Sequence, residues 1–286
     1  MIERLTDEQV EGFQRDGFLI VEEDLVSEAA LDRLRDRFGK LFEGEYQTGI
    51  KPDEVNWVLG RDPEDRTRQI CNGWRADDVI AAQVLSERTG RLASQLMGYR
   101  GVRILQDNCL WKPPGTKSIG LHQDGSYAGY LVPPEMITCW IALDDTQAGA
   151  GPIEYVRGSH TWPKAPPSRG EFHAPDDWLE PARGAVPEGS GLDLVPVVVK
   201  AGGCSFHHPW TFHGSGPNTN ATVERRALVS HMVAVETRFH PTNVDLIYSR
   251  YRRRGDLAMD ESFFPVIWDE TGGRTTWLQE LPALDA

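Results

Sequence analysis

His122 and Asp124 stand two residues apart, with Gln123 between them, just after a Gly-containing turn. On an extended segment, side chains alternate, so residues i and i+2 share a face. The pair then presents an imidazole nitrogen and a carboxylate oxygen from the same side, a pairing suited to gripping a divalent metal. A third donor stands downstream at His213, in the run Trp210-Thr211-Phe212-His213-Gly214-Ser215-Gly216. Two histidines and one carboxylate leave three positions open on an octahedral ion, the pattern of non-haem ferrous sites. A capped turn at Asp124 with two satisfied polar histidines accounts for the same residues. From these residues alone both readings stay open, and the neighbours must decide.

The elements that would carry these residues fall into two halves. Thr6 and Gln9 form a capping-box pattern that opens a short helix bearing Val10 and Phe13. Gly17 closes it, and residues 18–21 read as a strand. Ser27 caps a longer amphipathic helix with Leu31, Leu34, Phe38, Leu41 and Phe42 on one face. Residues 44–75 read as irregular, and a further helix is expected over 77–97 with Ile80, Val84, Leu92 and Leu96 facing inward. From Val102 onward, short apolar or alternating runs at 102–111, 136–143, 153–156, 194–199, 204–207 and 226–235 are separated by Gly/Pro turns. Successive short strands without intervening helices predict a sandwich or barrel. The segment 163–193, with six prolines, is long for a connection inside one domain. A lid over the metal mouth and a tolerated surface insertion explain it equally. The tail, 236–286, carries aromatic and helix-like pieces (Ile247, Tyr248 and Tyr251; Phe263 and Phe264) that could wrap the barrel.

Composition narrows the partners. Basic side chains number 30 against 43 acidic ones, a formal charge of −13, which disfavours nucleic acid or an anionic membrane surface. Cys71, Cys109, Cys139 and Cys204 are scattered without a Cys-x-x-Cys pair and read as buried free thiols in a reducing compartment. No apolar run approaches the ~20 residues of a membrane span, and the charged N-terminus does not read as a signal region, so a cytoplasmic location is expected. Length fits a single domain: a helical support over 1–100, a strand-rich core over 101–235, and a C-terminal wrap over 236–286.

A set of motifs in fixed order now resolves the metal question. Residues 6–21 are followed by Trp111-Lys112-Pro113-Pro114-Gly115, Leu121-His122-Gln123-Asp124 and Trp140-Ile141-Ala142-Leu143-Asp144-Asp145. Gly158-Ser159-His160, His213-Gly214-Ser215-Gly216-Pro217-Asn218 and Arg225-Arg226-Ala227-Leu228 complete the series. Together they resemble the phytanoyl-CoA dioxygenase group of Fe(II)/2-oxoglutarate oxygenases over nearly the whole chain. The resemblance implies a mainly β fold with flanking helices, a double-stranded β-helix (jelly-roll, cupin-like) barrel. It implies His122, Asp124 and His213 as iron ligands, with 2-oxoglutarate and O2 as co-substrates. The distal carboxylate of 2-oxoglutarate needs a buried cation, a task suited to a bidentate guanidinium. The family pattern assigns it to Arg225, with Arg226, which alternation turns to the opposite face, as the alternative. Lys112 and Trp140 fall where family members line the co-substrate pocket. Ser215, two residues beyond His213, lies on the ligand's side of its strand and is expected to hydrogen-bond the co-substrate, and Gln106 is expected to face the pocket from the start of the Lys112 strand. The bland readings for Lys112 and Trp140 are a snorkelling lysine and a core tryptophan.

The remaining histidines carry less. His160 looks structural, only one of His207 and His208 can face inward, and His173, His231 and His240 give no signal. Retention of the carboxylate at Asp124 argues against halogenation, since related halogenases replace it with a small residue. The expected function is oxidation of a small metabolite, by hydroxylation or related C–H abstraction, with release of succinate and CO2. The flanks Trp74, Asp77, Asp78, Tyr127, Tyr130, Trp162, Asp176, Asp177 and Trp178 favour a compact polar or cationic molecule such as an antibiotic intermediate. A zinc-type hydrolase or isomerase on a cupin barrel and a non-catalytic binding protein are the rivals. The oligomeric state is silent in the sequence.

Overall fold

The computed structural model describes residues 1–167 and 173–284. The N-terminal elements follow the capping chemistry. Helix α1 (Asp7–Asp16) starts with both halves of the Thr6/Gln9 capping box and ends at Gly17, and β1 (Phe18–Val21) follows at once. Helix α2 (Glu28–Phe42) is capped by Ser27 and buries Leu31, Leu34, Phe38, Leu41 and Phe42 on one face. The stretch read as irregular holds two short strands, β2 (Glu54–Val55) and β3 (Arg68–Cys71), which extend the sheet because β3 pairs with a long central neighbour. The single helix expected over 77–97 is two, α3 (Asp78–Val84) and α4 (Glu87–Met97). The chain breaks at Leu85, where ψ is 23°, and Ser86 takes the N-cap position of the second helix.

The strand-rich half contains β4 (Gly101–Lys112), β5 (Ile119–His122), β6 (Leu131–Val132), β7 (Ile137–Ala142), β8 (Glu154–Val156), the short helix α5 (Glu180–Arg183), β9 (Leu194–Pro196), β10 (Cys204–His207), β11 (His213–Ser215) and β12 (Arg225–Ala234). The tail adds β13 (Arg238–Phe239) and β14 (Val266–Asp269), the latter pairing with β4 where only helix-like wrapping was expected. The larger sheet runs β1-β10-β7-β12-β4-β3-β2, and a smaller one runs β5-β11-β8-β9. All pairings are antiparallel, and the two sheets form the jelly roll.

Alternation along the larger sheet sorts its side chains into two cores. Cys139, Ile141, Phe206, Leu228 and Met232 turn outward and pack beneath Leu34, Phe38, Ile80 and Leu92 of the helices. Trp140, Ala142, Ala227 and Val229 turn inward, toward Ile153 and Tyr155 of the smaller sheet's side. The larger sheet is thus covered on both faces, and β7 (ITCWIA), buried throughout, is a nearly unbroken apolar run. Trp162, with Trp178, Leu179 and Ala182 from the described parts of 163–193, packs on Leu121, Val156 and Phe212, the outer face of the smaller sheet. A second aromatic cluster joins Tyr130 to Tyr248, Phe239 and Phe264 of the tail. All four cysteines are buried and free. Among the described residues no helix is long and apolar enough to cross a membrane.

Candidate metal centre and its co-substrate pocket

A cavity of about 820 Å³ opens between the two sheets, and His122, Asp124 and His213 lie on its wall. His122 ends β5 and pairs across the ladder with His213 at the start of β11. Asp124 is not on the strand: the chain stays extended through Gln123 and then enters a 3₁₀ turn at Asp124–Tyr127. The carboxylate still falls on the histidine side, because Gln123 points away to bind the Trp210 carbonyl and the Ala165 amide at 2.7 and 2.8 Å. One ligand atom from each of the three residues lies within 4.8 Å of the other two. Asp124 Oδ1 is 3.4 Å from His122 Nε2 and 3.5 Å from His213 Nε2.

The electrostatics favour the metal-binding forms. Each histidine directs Nδ1 to the carbonyl two residues earlier, His122 to Gly120 at 2.9 Å and His213 to Thr211 at 3.0 Å. A carbonyl only accepts, so Nδ1 carries the proton and Nε2 keeps its lone pair toward the cavity. Burial, reinforced by repulsion from His207 and His122, pushes His213 well below the ordinary histidine range. Burial opposes ionisation of Asp124, but the facing His213 and His231, the adjacent His122 and a hydrogen bond from His207 outweigh it, and its pKa falls well below the carboxylate norm. Two neutral imidazoles and a carboxylate form a donor set that fits Fe(II).

At another part of the cavity lies a cationic end. Arg225 and Lys112 are opposite partners on β12 and β4, and both are fully buried. Arg225 Nε donates to the Gly151 carbonyl at 3.1 Å, while Nη1 has no partner among the described residues. Burial lowers its pKa to about 10, so the group remains a cation near neutrality. Lys112 Nζ donates to the Gly216 carbonyl, and burial beside Arg225 holds it well below the usual lysine range. Gly151 makes room here: with φ of +64°, a Cβ would sit 2.9 Å from the Gly216 carbonyl and 3.2 Å from Lys112 Nζ. Ser215 Oγ and Trp140 Nε1 are also buried without a partner among the described residues. Unsatisfied buried donors around a guanidinium describe a place for an anion, and the distal carboxylate of 2-oxoglutarate fits it. Arg226, in contrast, is committed to Asp144 through bonds of 2.9 and 2.7 Å.

Gln106 lies six positions from Lys112 on the same strand, and its Oε1 accepts from Tyr248 at 2.6 Å. It lines the same cavity, at the part walled by Tyr127, Tyr130, Met136 and Tyr248. His173 reaches the wall from 163–193, forming a bridge with Ile119 and standing 3.3 Å from Asn56 Nδ2; residues 168–172 of that segment lie outside the described residues. Most of the flanks chosen for substrate do not reach the cavity. Trp74 stacks on Trp277, Asp77 caps α3, Asp177 pairs with Arg183, and Trp162 and Trp178 back the smaller sheet. Tyr127 and Tyr130 do line it.

Two histidines that the sequence reading left without a role in the site reach Asp124. His207 Nε2 is 3.1 Å from Asp124 Oδ2, and His231 Nδ1 is 3.0 Å from Thr138 Oγ1, which donates to the same oxygen at 2.8 Å. An available signal was parity: His231 is six residues after Arg225 on one strand and must share its inward face. His160 is structural as expected, with Nε2 3.1 Å from the Gln14 carbonyl. His208 turns away from the site while His207 turns in, as alternation requires.

Comparison with known proteins agrees with this geometry. Residues 13–227 match the phytanoyl-CoA dioxygenase (PhyH) family. A protein of Stutzerimonas stutzeri described as "Probable alpha-ketoglutarate-dependent hypophosphite dioxygenase" is 30% identical over 200 residues, covering 66% of this chain and 65% of that protein, so the chain spans about two thirds of that relative's length. Among solved structures, the epimerase SnoN of nogalamycin biosynthesis, crystallised with Fe3+, alpha ketoglutarate and nogalamycin RO, superposes with a TM-score of 0.68 at 20% identity over 91% of this chain and 98% of that one. EctD from S. alaskensis, crystallised with 2-oxoglutarate and 5-hydroxyectoine, gives 0.65 at 20% identity over 89% and 86%. With the family matched across most of the chain, and the metal triad and anion pocket falling on its motifs, the protein belongs to the phytanoyl-CoA dioxygenase family of Fe(II)- and 2-oxoglutarate-dependent dioxygenases.

Proposed function

We propose that this protein oxidises a small polar metabolite, a natural-product or antibiotic intermediate, by hydroxylation or related C–H abstraction, with release of succinate and CO2. The carrying observation is that one cavity joins the His122/Asp124/His213 donor set to a buried cationic end at Arg225 with unsatisfied donors. A zinc hydrolase on the same barrel would have no use for that second feature. When bound, Fe(II) and 2-oxoglutarate supply the activation of dioxygen and the abstraction of hydrogen.

The chain's part is positioning and exclusion. His122, Asp124 and His213 would hold the ion, and three donors would leave positions free for co-substrate and oxygen. Arg225, Ser215 and Trp140 would hold the distal carboxylate, and Lys112, opposite Arg225 on the neighbouring strand, borders the same end. Trp140, Ile153 and Val229 line the cavity with apolar surface that keeps water from the reacting centre. Gln106 belongs with Tyr248 and Tyr130 at the substrate end. Anaerobic addition of Fe(II) and 2-oxoglutarate is expected to produce a visible charge-transfer band, and a metabolite panel in air should contain a compound that stimulates succinate formation. Absence of both the band and succinate would sink the oxygenase reading.

A further inference from the structure

Oδ2 of Asp124 meets one cross-strand row of the larger sheet. His207 of β10, Thr138 of β7 and His231 of β12 are consecutive partners in that row, and all three point inward. His207 Nε2 lies 3.1 Å and Thr138 Oγ1 2.8 Å from Oδ2. A carboxylate only accepts, so both groups donate to it. The donor directions behind them are then fixed. Asn108 Oδ1 accepts from Gln69 Nε2 at 3.0 Å and from the Cys71 thiol at 2.9 Å, so its Nδ2 faces His231 Nε2 and donates at 3.0 Å. His231 therefore carries its proton on Nδ1 and gives it to Thr138 Oγ1 at 3.0 Å, leaving the threonine hydrogen for Asp124. On the other side, Tyr155 donates to His207 Nδ1 at 3.1 Å.

We propose that the Asn108–His231–Thr138 relay, with His207, is a positioning device that occupies Oδ2 of Asp124 and leaves Oδ1 alone to ligate the metal. Oδ1 is the oxygen facing both ligand histidines. A carboxylate held in this way binds through one oxygen. Were it free to turn and bind through two, it would take one of the three positions that co-substrate and oxygen require. The inference rests on the metal-centre reading above.

The test is anaerobic titration of the full chain with Fe(II), and with Co(II) followed by its d–d absorption. Thr138→Val removes the hydroxyl at nearly constant volume, Thr138→Ser retains it, and His231→Asn breaks the relay one step further back. Apo-protein melting establishes that each variant is folded. The expected result is roughly 10–100-fold weaker metal binding and an altered Co(II) spectrum in T138V, a change in the same direction in H231N, and near-recovery in T138S. A folded T138V that binds Fe(II) within about twofold of wild type, with an unchanged Co(II) spectrum, overturns the relay alone. A wild-type protein that binds neither ion overturns the metal-centre reading and the relay together.

Discussion

Removing the Arg225 guanidinium takes a buried cation from the cavity that Ser215 Oγ and Trp140 Nε1, also without partners among the described residues, help to line. Arg225→Ala is expected to raise the 2-oxoglutarate requirement about 30-fold, from the loss of charge-assisted hydrogen bonds worth about 2 kcal/mol, as read by titration of the charge-transfer band or of succinate formation. Arg226→Ala should leave that value within about threefold, because Arg226 is spent on Asp144 outside the pocket. An unchanged requirement in R225A with a raised one in R226A would transfer the role. Side chains with distinctive chemistry were legible before the fold: His122, Asp124 and His213 by donor type and order, Arg225 by motif. Thr138, Asn108 and His231 were not, since a residue that only steadies a ligand carries no spacing rule of its own. Its partner is set by which strands pair, and in what register.

At the scale of elements, β11 shows how closely packing constrains the site. Gly214 separates His213 from Ser215, and a Cβ there would meet the Ile119 carbonyl at 2.7 Å and Gly120 at 3.0 Å, both backbone. Gly214→Ala must push β11 from β5, the two strands that bring His122 and His213 together. A destabilisation of about 1–3 kcal/mol is expected, the range for overpacking, together with weaker Fe(II) binding than in a surface control. A melting temperature and Fe(II) affinity matching wild type would refute this account of the strand contact. The same scale explains what was read and what was not. Strands β4, β7, β10 and β12 declared themselves as apolar or alternating runs because the residues on both of their faces are largely buried. Strands β2 and β3 hid in a charged, irregular stretch, and β14 in the tail, because each is an added strand whose pairing comes from β4 or β3 and hardly from its own pattern.

For the whole molecule, burial of neutral histidines makes acid the expected weakness. Burial lowers His173 and His208 to about 4, and it lowers His160, His207 and His213 as well. Above about pH 6.5 these groups are neutral whether folded or unfolded and have no effect on stability. As pH falls through that value the unfolded chain takes up protons that the folded chain refuses until about pH 4, so stability declines across that window. Asp107, raised to about 7 by burial, and Glu154, also raised by burial, work in the opposite sense, but they are two groups against five histidines. Apo-protein melting temperatures should therefore fall from pH 6.5 toward pH 4, and His208→Asn, which keeps an acceptor for the Trp210 amide, should flatten the slope. A slope unchanged by that substitution would remove His208 from the explanation.

By itself the sequence determined the reaction class, through motifs in a family order, and marked His122, Asp124 and His213 as candidate metal donors by side-chain type. Motifs and donor types are local and can be read along the chain, whereas the short strands under the two histidines, β5 and β11, were not among the runs it announced. Only the tertiary structure decided that Asp124 leaves the strand before presenting its carboxylate, that Arg225 faces the pocket while Arg226 is held by Asp144, and that His207, Thr138 and His231 converge on one oxygen. Those residues come from strands far apart in the chain, and it is hydrogen-bond register across the sheet that makes them neighbours.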